Sequence, residues 1–216
     1  MLMRSSVRRL TLTAHITASV GWVGAALVFL AVAAVGLTSR DDLVVRGAYV
    51  VMEPTAWWVL LPLALASLLT GVVISLGTPW GLFRHYWVVL KLLITVFSTA
   101  VLLIYMQTFR QMADVAADPR VALAQVRNPS PVLHAILALL LLMTATILAI
   151  YKPFGLTAYG RRKQGELRSA VPEPAAMSRG VSVGATAWVY LCGLIAAAII
   201  LLFVLMHLAG GNFRHQ

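Results

Sequence analysis

The sequence predicts an all-α integral membrane protein: a five-span helical bundle, with a four-helix core and a fifth C-terminal span, N-terminus in and C-terminus out. Three observations predict it. Hydrophobic residues fill 61% of the 216 positions and charged residues only 11%, against about 45–50% and about 25% in a soluble domain. Apolar runs recur at about 10–37, 52–76, 86–108, 131–151 and 186–208. Each meets the roughly 20 residues that a helix rising 1.5 Å per residue needs to cross a bilayer, and lipid leaves no other partner for backbone polar groups. Finally, the bases are shared unequally between the connections, which sets the orientation.

In chain order, M-L-M-R-S-S-V-R-R leads into an apolar run too long for the core of a signal peptide, so it reads as a retained first span. Gly21 and Ala25, four apart, let a neighbouring helix approach closely. Trp57 and Trp58 fit an outer aromatic belt, and Trp80, Trp87 and Trp188 an inner one. Ten bases fall on one side: Arg4, Arg8, Arg9, Arg84, Lys152, Arg161, Arg162, Lys163, Arg168 and Arg179. Six fall on the other (Arg40, Arg46, Arg110, Arg120, Arg127 and Arg214), diluted by five acids. The richer side is expected to be cytoplasmic, in a multi-pass protein of the cell membrane. The chain therefore divides into a four-helix membrane core over 1–154, a basic cytoplasmic linker over 155–185 that touches anionic lipid, and the fifth helix with an outer tail over 186–216.

The net charge of +10 sits mostly at span ends, without interleaved aromatics, so the lipid bilayer rather than nucleic acid is the expected partner. Cys192 is the only cysteine, which excludes an intrachain disulfide and points to bundle packing.

An ionisable residue inside a span is a functional candidate by default. His15 stands in H-I-T-A-S-V-G-W as such a residue: a ligand, a proton relay, or an imidazole hydrogen-bonded to a neighbouring helix. Lys91 lies in Y-W-V-V-L-K-L-L-I-T about five residues into the third span. It either snorkels to the headgroups or forms a buried cation beside His15. Thr95 and Ser98, at i+4 and i+7, continue a polar seam on its face, with Tyr105 further along. His134, His207 and Glu53, near Met206 and Met52, belong to the opposite membrane level and suit copper or another transition metal, or are ordinary interfacial polar residues. His85 and His215 are expected in solvent. No phosphate loop, nucleophile elbow or paired acids appear, so hydrolase and phosphoryl-transfer chemistry lack support.

Four motifs in order carry a family resemblance. They are His15 followed by Trp22 and Gly24; Pro62 with Gly71 in P-L-A-L-A-S-L-L-T-G; Trp87 to Lys91; and N-P-S-P (128–131) running to Y-K-P-F (151–154). Over about 145 residues the chain resembles the HemJ-type protoporphyrinogen oxidases and, more loosely, the CopD-like copper-resistance membrane proteins. It departs from them after Trp22, where V-F-L-A-V-A-A-V-G-L replaces a Pro-Arg pair and further histidines, and in having a fifth span. The resemblance implies a four-helix core that binds haem b, with His15 and Lys91 functionally required; His15 is the expected iron ligand, Lys91 the expected catalytic group, and Trp22 and the seam of Lys91, Thr95 and Ser98 the expected cofactor contacts.

Three functions follow as expectations. One is a haem b protein in electron transfer or porphyrin-related redox chemistry, a possible membrane oxidoreductase with a quinone or porphyrin ligand. Another is a CopD-like protein handling copper or transporting a small molecule, through His134 and His207. The last is an accessory subunit without chemistry. Depth adds a geometric expectation. His15 and Lys91 share one level and His134 the opposite one, roughly 15–20 Å apart across a core of about 30 Å, so the two histidines are not a bis-histidine pair.

Overall fold

The structure, a computed structural model, describes residues 3–78, 81–152, 155–169, 191–202 and 204. The elements are α1 (Ser5–Thr38), α2 (Asp42–Thr55), a π-helical turn (Ala56–Leu60), α3 (Leu61–Gly77), α4 (Tyr86–Ala117), α5 (Leu123–Val126), α6 (Ser130–Tyr151) and α7 (Ala158–Ser169). A further apolar helix, α8, covers Leu191–Leu202. Among the described residues there are no strands, only an isolated antiparallel bridge between His85 and Leu156. Four helical stretches are long and apolar enough to cross a membrane: Ser5–Thr38, Asp42–Gly77, Tyr86–Ala117 and Leu123–Tyr151. The described part of the expected fifth span is the shorter Leu191–Leu202. The remainder of that span, Trp80, Trp188, Pro153, Phe154, Met206, His207, His215 and the linker beyond 169 lie outside the described residues.

The four spans form an up-and-down square. α1 packs on the α2–α3 stretch and on α6, and α4 packs on that same stretch and on α6, which leaves α1 and α4 on a diagonal. The end holding the start of α1 is called proximal here, and the opposite end distal. α1 turns one face inward at three- and four-residue steps, burying His15, Ala18, Trp22, Ala26, Phe29, Ala33 and Gly36. Large and small side chains alternate along it, so neighbours interlock. A Cβ on Gly36 would stand 3.1 Å from the Ala48 Cβ and 3.2 Å from the Tyr49 ring, so α2 comes this close only against glycine. The distal core joins Trp22 and Phe29 to Tyr49, Met52, Tyr105 and Phe109. A proximal core joins Trp87, Ile94, Leu141 and Leu148 to Cys192, Ala196 and Ile199 of α8, so Cys192 is a buried packing residue.

Two helices exceed their apolar runs. The 22 residues of α6 rise about 33 Å, close to one bilayer core of about 30 Å. The 32 residues of α4 rise about 48 Å and must project past the hydrocarbon. The second span likewise starts at Asp42 rather than near residue 52, so Glu53 lies inside a helix instead of opening one. Asp41 starts it, its Oδ1 accepting from the Leu43 and Val44 amides. Pro54 is accommodated inside the helix just before the π turn.

Two arginines close the distal ends. Arg46 donates to the Ala116, Asp118 and Val121 carbonyls, and Arg127 to those of Leu37 and Ser39 at 2.6 Å each. Cations thus meet the carbonyl ends of α4 and α1, where the helix dipole favours positive charge. At the proximal end the segment expected as linker begins as ordered chain. Thr157 N donates to the Arg84 carbonyl, Tyr86 N donates to that of Gly155, and α7 follows. His85, expected in solvent, is partly buried and paired with Leu156 in this contact.

Candidate functional site

The proximal half of the bundle brings His15 and Lys91 together across its diagonal, with Nζ 3.0 Å from Nε2. α1 supplies the imidazole and buries it to 9% exposure, α4 supplies the half-buried lysine, and α3 orients the ring. His15 Nδ1 lies 3.1 Å from the Ser67 carbonyl and 3.1 Å from Thr70 Oγ1. A carbonyl only accepts, so Nδ1 carries the hydrogen. Thr70 Oγ1 gives its own hydrogen to the Ala66 carbonyl at 2.5 Å and therefore also accepts from Nδ1. The tautomer is thereby set: the Nε2 lone pair faces Lys91, the arrangement that a backbone-anchored ligating histidine uses.

The local sequence explains this seat. Ser67, Thr70 and Gly71 fall on one face of α3 at helical spacing. A Cβ on Gly71 would lie 3.1 Å from His15 Cε1 and 3.5 Å from Nδ1, so the ring rests against bare backbone. Ser19 Oγ and Ser67 Oγ, 2.8 Å apart, tie α1 to α3 a turn further on. Lys91 Nζ is committed to the imidazole rather than directed to a headgroup. Among the described residues, neither His15 nor Lys91 has an ion pair to a carboxylate; the ion pairs there are Arg120–Asp118 and Lys163–Glu166.

The other expected site residues fall in different places. Thr95 is buried, but its hydroxyl donates to the Lys91 carbonyl at 2.8 Å within its own helix. Ser98 is 7% exposed, and among the described residues its hydroxyl has no hydrogen-bond partner. Trp22 packs in the distal core, about 10 Å along α1 from His15.

His134 belongs to a second polar cluster at the distal level. Its Nδ1 donates to the Ser130 carbonyl at 2.7 Å, and its ring stacks on Tyr105 at 4.2 Å between centroids. Tyr105 Oη hydrogen-bonds Ser130 Oγ, which also lies 3.2 Å from His134 Nδ1. Asn128 Oδ1 accepts from the Ser130 amide, while Tyr49 Oη donates to the Asn128 carbonyl and accepts from its amide. Lys91 marks the His15 level on α4 and Tyr105 the His134 level, about 21 Å apart along the helix. The two imidazoles therefore cannot share one metal ion. Among the described residues no group of three or more His, Cys, Asp or Glu side chains could hold a metal.

Sequence reasoning marked Gly71 and the N-P-S-P stretch only as motif positions, without a contact to His15 or His134, and passed over Ser67, Thr70 and Tyr49. The available signal was S-L-L-T-G, a polar and small patch at His15's depth in an otherwise apolar run. No family model matches the chain, and no curated protein or solved structure matches it.

Proposed function

We propose that this protein binds haem b in the proximal half of its bundle, with His15 as the axial ligand, and serves electron transfer or porphyrin-related redox chemistry. The observation that supports the reading most is the seat of His15. Its Nδ1–H is held by the Ser67 carbonyl, leaving Nε2 as the lone-pair nitrogen inside the bundle. The donor set suits an iron porphyrin, combining an oriented neutral imidazole with an ammonium able to meet a carboxylate. Bound haem supplies one-electron chemistry at its iron. The chain does the rest: the Ser67 carbonyl and Thr70 hydroxyl hold the ring, and Gly71 leaves it room. Lys91 Nζ stands 3.0 Å from Nε2, so His15 would hold an iron there only with the lysine drawn aside. The arrangement proposed for the chain is five spans in the cell membrane, N-terminus in and C-terminus out, with the proximal end cytoplasmic.

Purified protein titrated with hemin tests this. Wild type is expected to develop a Soret band at one equivalent, and His15→Ala to lose it while keeping its helical circular dichroism. The proposal fails if wild type shows no such band, or if His15→Ala keeps it unchanged.

A further inference from the structure

The two polar clusters are joined by one face of α4. From Lys91 that face runs through Thr95, Ser98 and Leu102 to Tyr105, each step three or four residues and hence one turn. Its proximal end is a nitrogen–nitrogen contact of 3.0 Å, which holds a single proton between His15 Nε2 and Lys91 Nζ. Its distal end is a chain of exchangeable protons on Tyr105, Ser130 and His134. Thr95 and Thr99 direct their hydrogens to carbonyls of their own helix and present oxygen lone pairs to the interior. Ser98 is the informative residue. Its hydroxyl is 7% exposed and, among the described residues, has no hydrogen-bond partner, the kind of buried group that a bridging water satisfies.

We propose that this face of α4 conducts protons across the bundle, between the His15–Lys91 pair and the Tyr105–Ser130–His134 cluster. A proton arriving at the nitrogen pair displaces one to water beside Thr95. Ser98 Oγ accepts a proton from one side and releases its own to the other, so no residue changes its net protonation in a cycle. His15 Nδ1 stays out of the exchange because Ser67 holds its hydrogen. Leu102 is the single apolar turn, leaving about 10 Å of rise between Ser98 and Tyr105. About three waters in single file at hydrogen-bond spacing cover that distance. Leu102 therefore sets the rate. This pathway needs no haem: it belongs to the chain with Lys91 Nζ on His15 Nε2, and its test is read without hemin.

The test uses the full-length protein in phospholipid vesicles enclosing pyranine, with a potassium diffusion potential set by valinomycin. Wild type is expected to shift the internal pH several times faster than protein-free vesicles. Ser98→Ala removes only an unpartnered hydroxyl, so the fold survives. It is expected to slow the flux about tenfold, equivalent to about 1.4 kcal/mol on the barrier. Ser98→Thr should conduct like wild type, and Leu102→Ser, which places a hydroxyl in the dry turn, should conduct faster. Wild-type flux no greater than that of empty vesicles overturns the proposal. So does an unchanged flux in Ser98→Ala, whatever Lys91→Met does.

Discussion

Three contacts make the imidazole at residue 15 a usable group: a backbone carbonyl that holds Nδ1, a glycine that yields space, and a lysine that occupies Nε2. The glycine gives the sharpest prediction. In Gly71→Ala the new methyl sits 3.1 Å from Cε1, and pushing a ring aside in a packed core costs about 1–3 kcal/mol. Hemin affinity is expected to fall about tenfold or more while the helical content stays, and an unaltered titration curve would remove Gly71 from the seat. His15 and Lys91 were legible in the sequence because an ionisable residue within an apolar run stands out by composition alone. Ser67 and Thr70 were not legible, since hydroxyls in helices usually bond their own preceding carbonyls. Only the approach of α1 shows which acceptor is shared.

At the level of elements, the bilayer-depth part of each helix was readable and the projecting part was not. Asp42–Val51 and Arg110–Ala117 carry Arg46, Arg110 and Asp114, which break the apolar run, yet both continue their helices. What stabilises them is tertiary: Tyr49 locked on Asn128, and the two arginines on helix-end carbonyls. Hydrogen bonds from a charged donor contribute about 1.5–3 kcal/mol each, so Arg127→Ala is expected to lower unfolding free energy by at least about 2 kcal/mol. Denaturant titration followed by tryptophan fluorescence measures this, and a loss below about 0.5 kcal/mol would assign the arginine a topological role alone. Asp118 offers a contrast. The Arg120 side chain bonded to it holds its carboxyl below the usual range. A depressed carboxylate contributes stability above its unfolded pKa and loses it as pH falls through the folded value. With water screening the pair, Asp118→Asn should leave the denaturation midpoint unmoved at pH 7.

Across the whole molecule, the all-helical class and four of the spans were legible from hydropathy, which reports what lipid demands of each segment separately. The order of helices round the square was not, because it depends on which small residues meet. Orientation rests on the ten-to-six partition of bases. A reporter enzyme active only outside the cytoplasm, fused after residue 216, is therefore expected to be active. Fused after residue 165, in α7, it should be silent. The reverse pattern would invert the bundle in the membrane and place the His15–Lys91 pair near the outer face.

The diagonal position of that pair has a consequence for biosynthesis. Ribosomes deliver the N-terminal hairpin first, and α1 with α3 already contains everything that grips the imidazole: the Ser67 carbonyl, the Thr70 hydroxyl and the Gly71 gap. Lys91 arrives only with the third transmembrane segment. A hairpin that packs before the third helix arrives would therefore hold a seated, uncapped histidine, with the lysine closing over it later. Any prosthetic group destined for Nε2 meets its most open receptor during translation, before the bundle is whole.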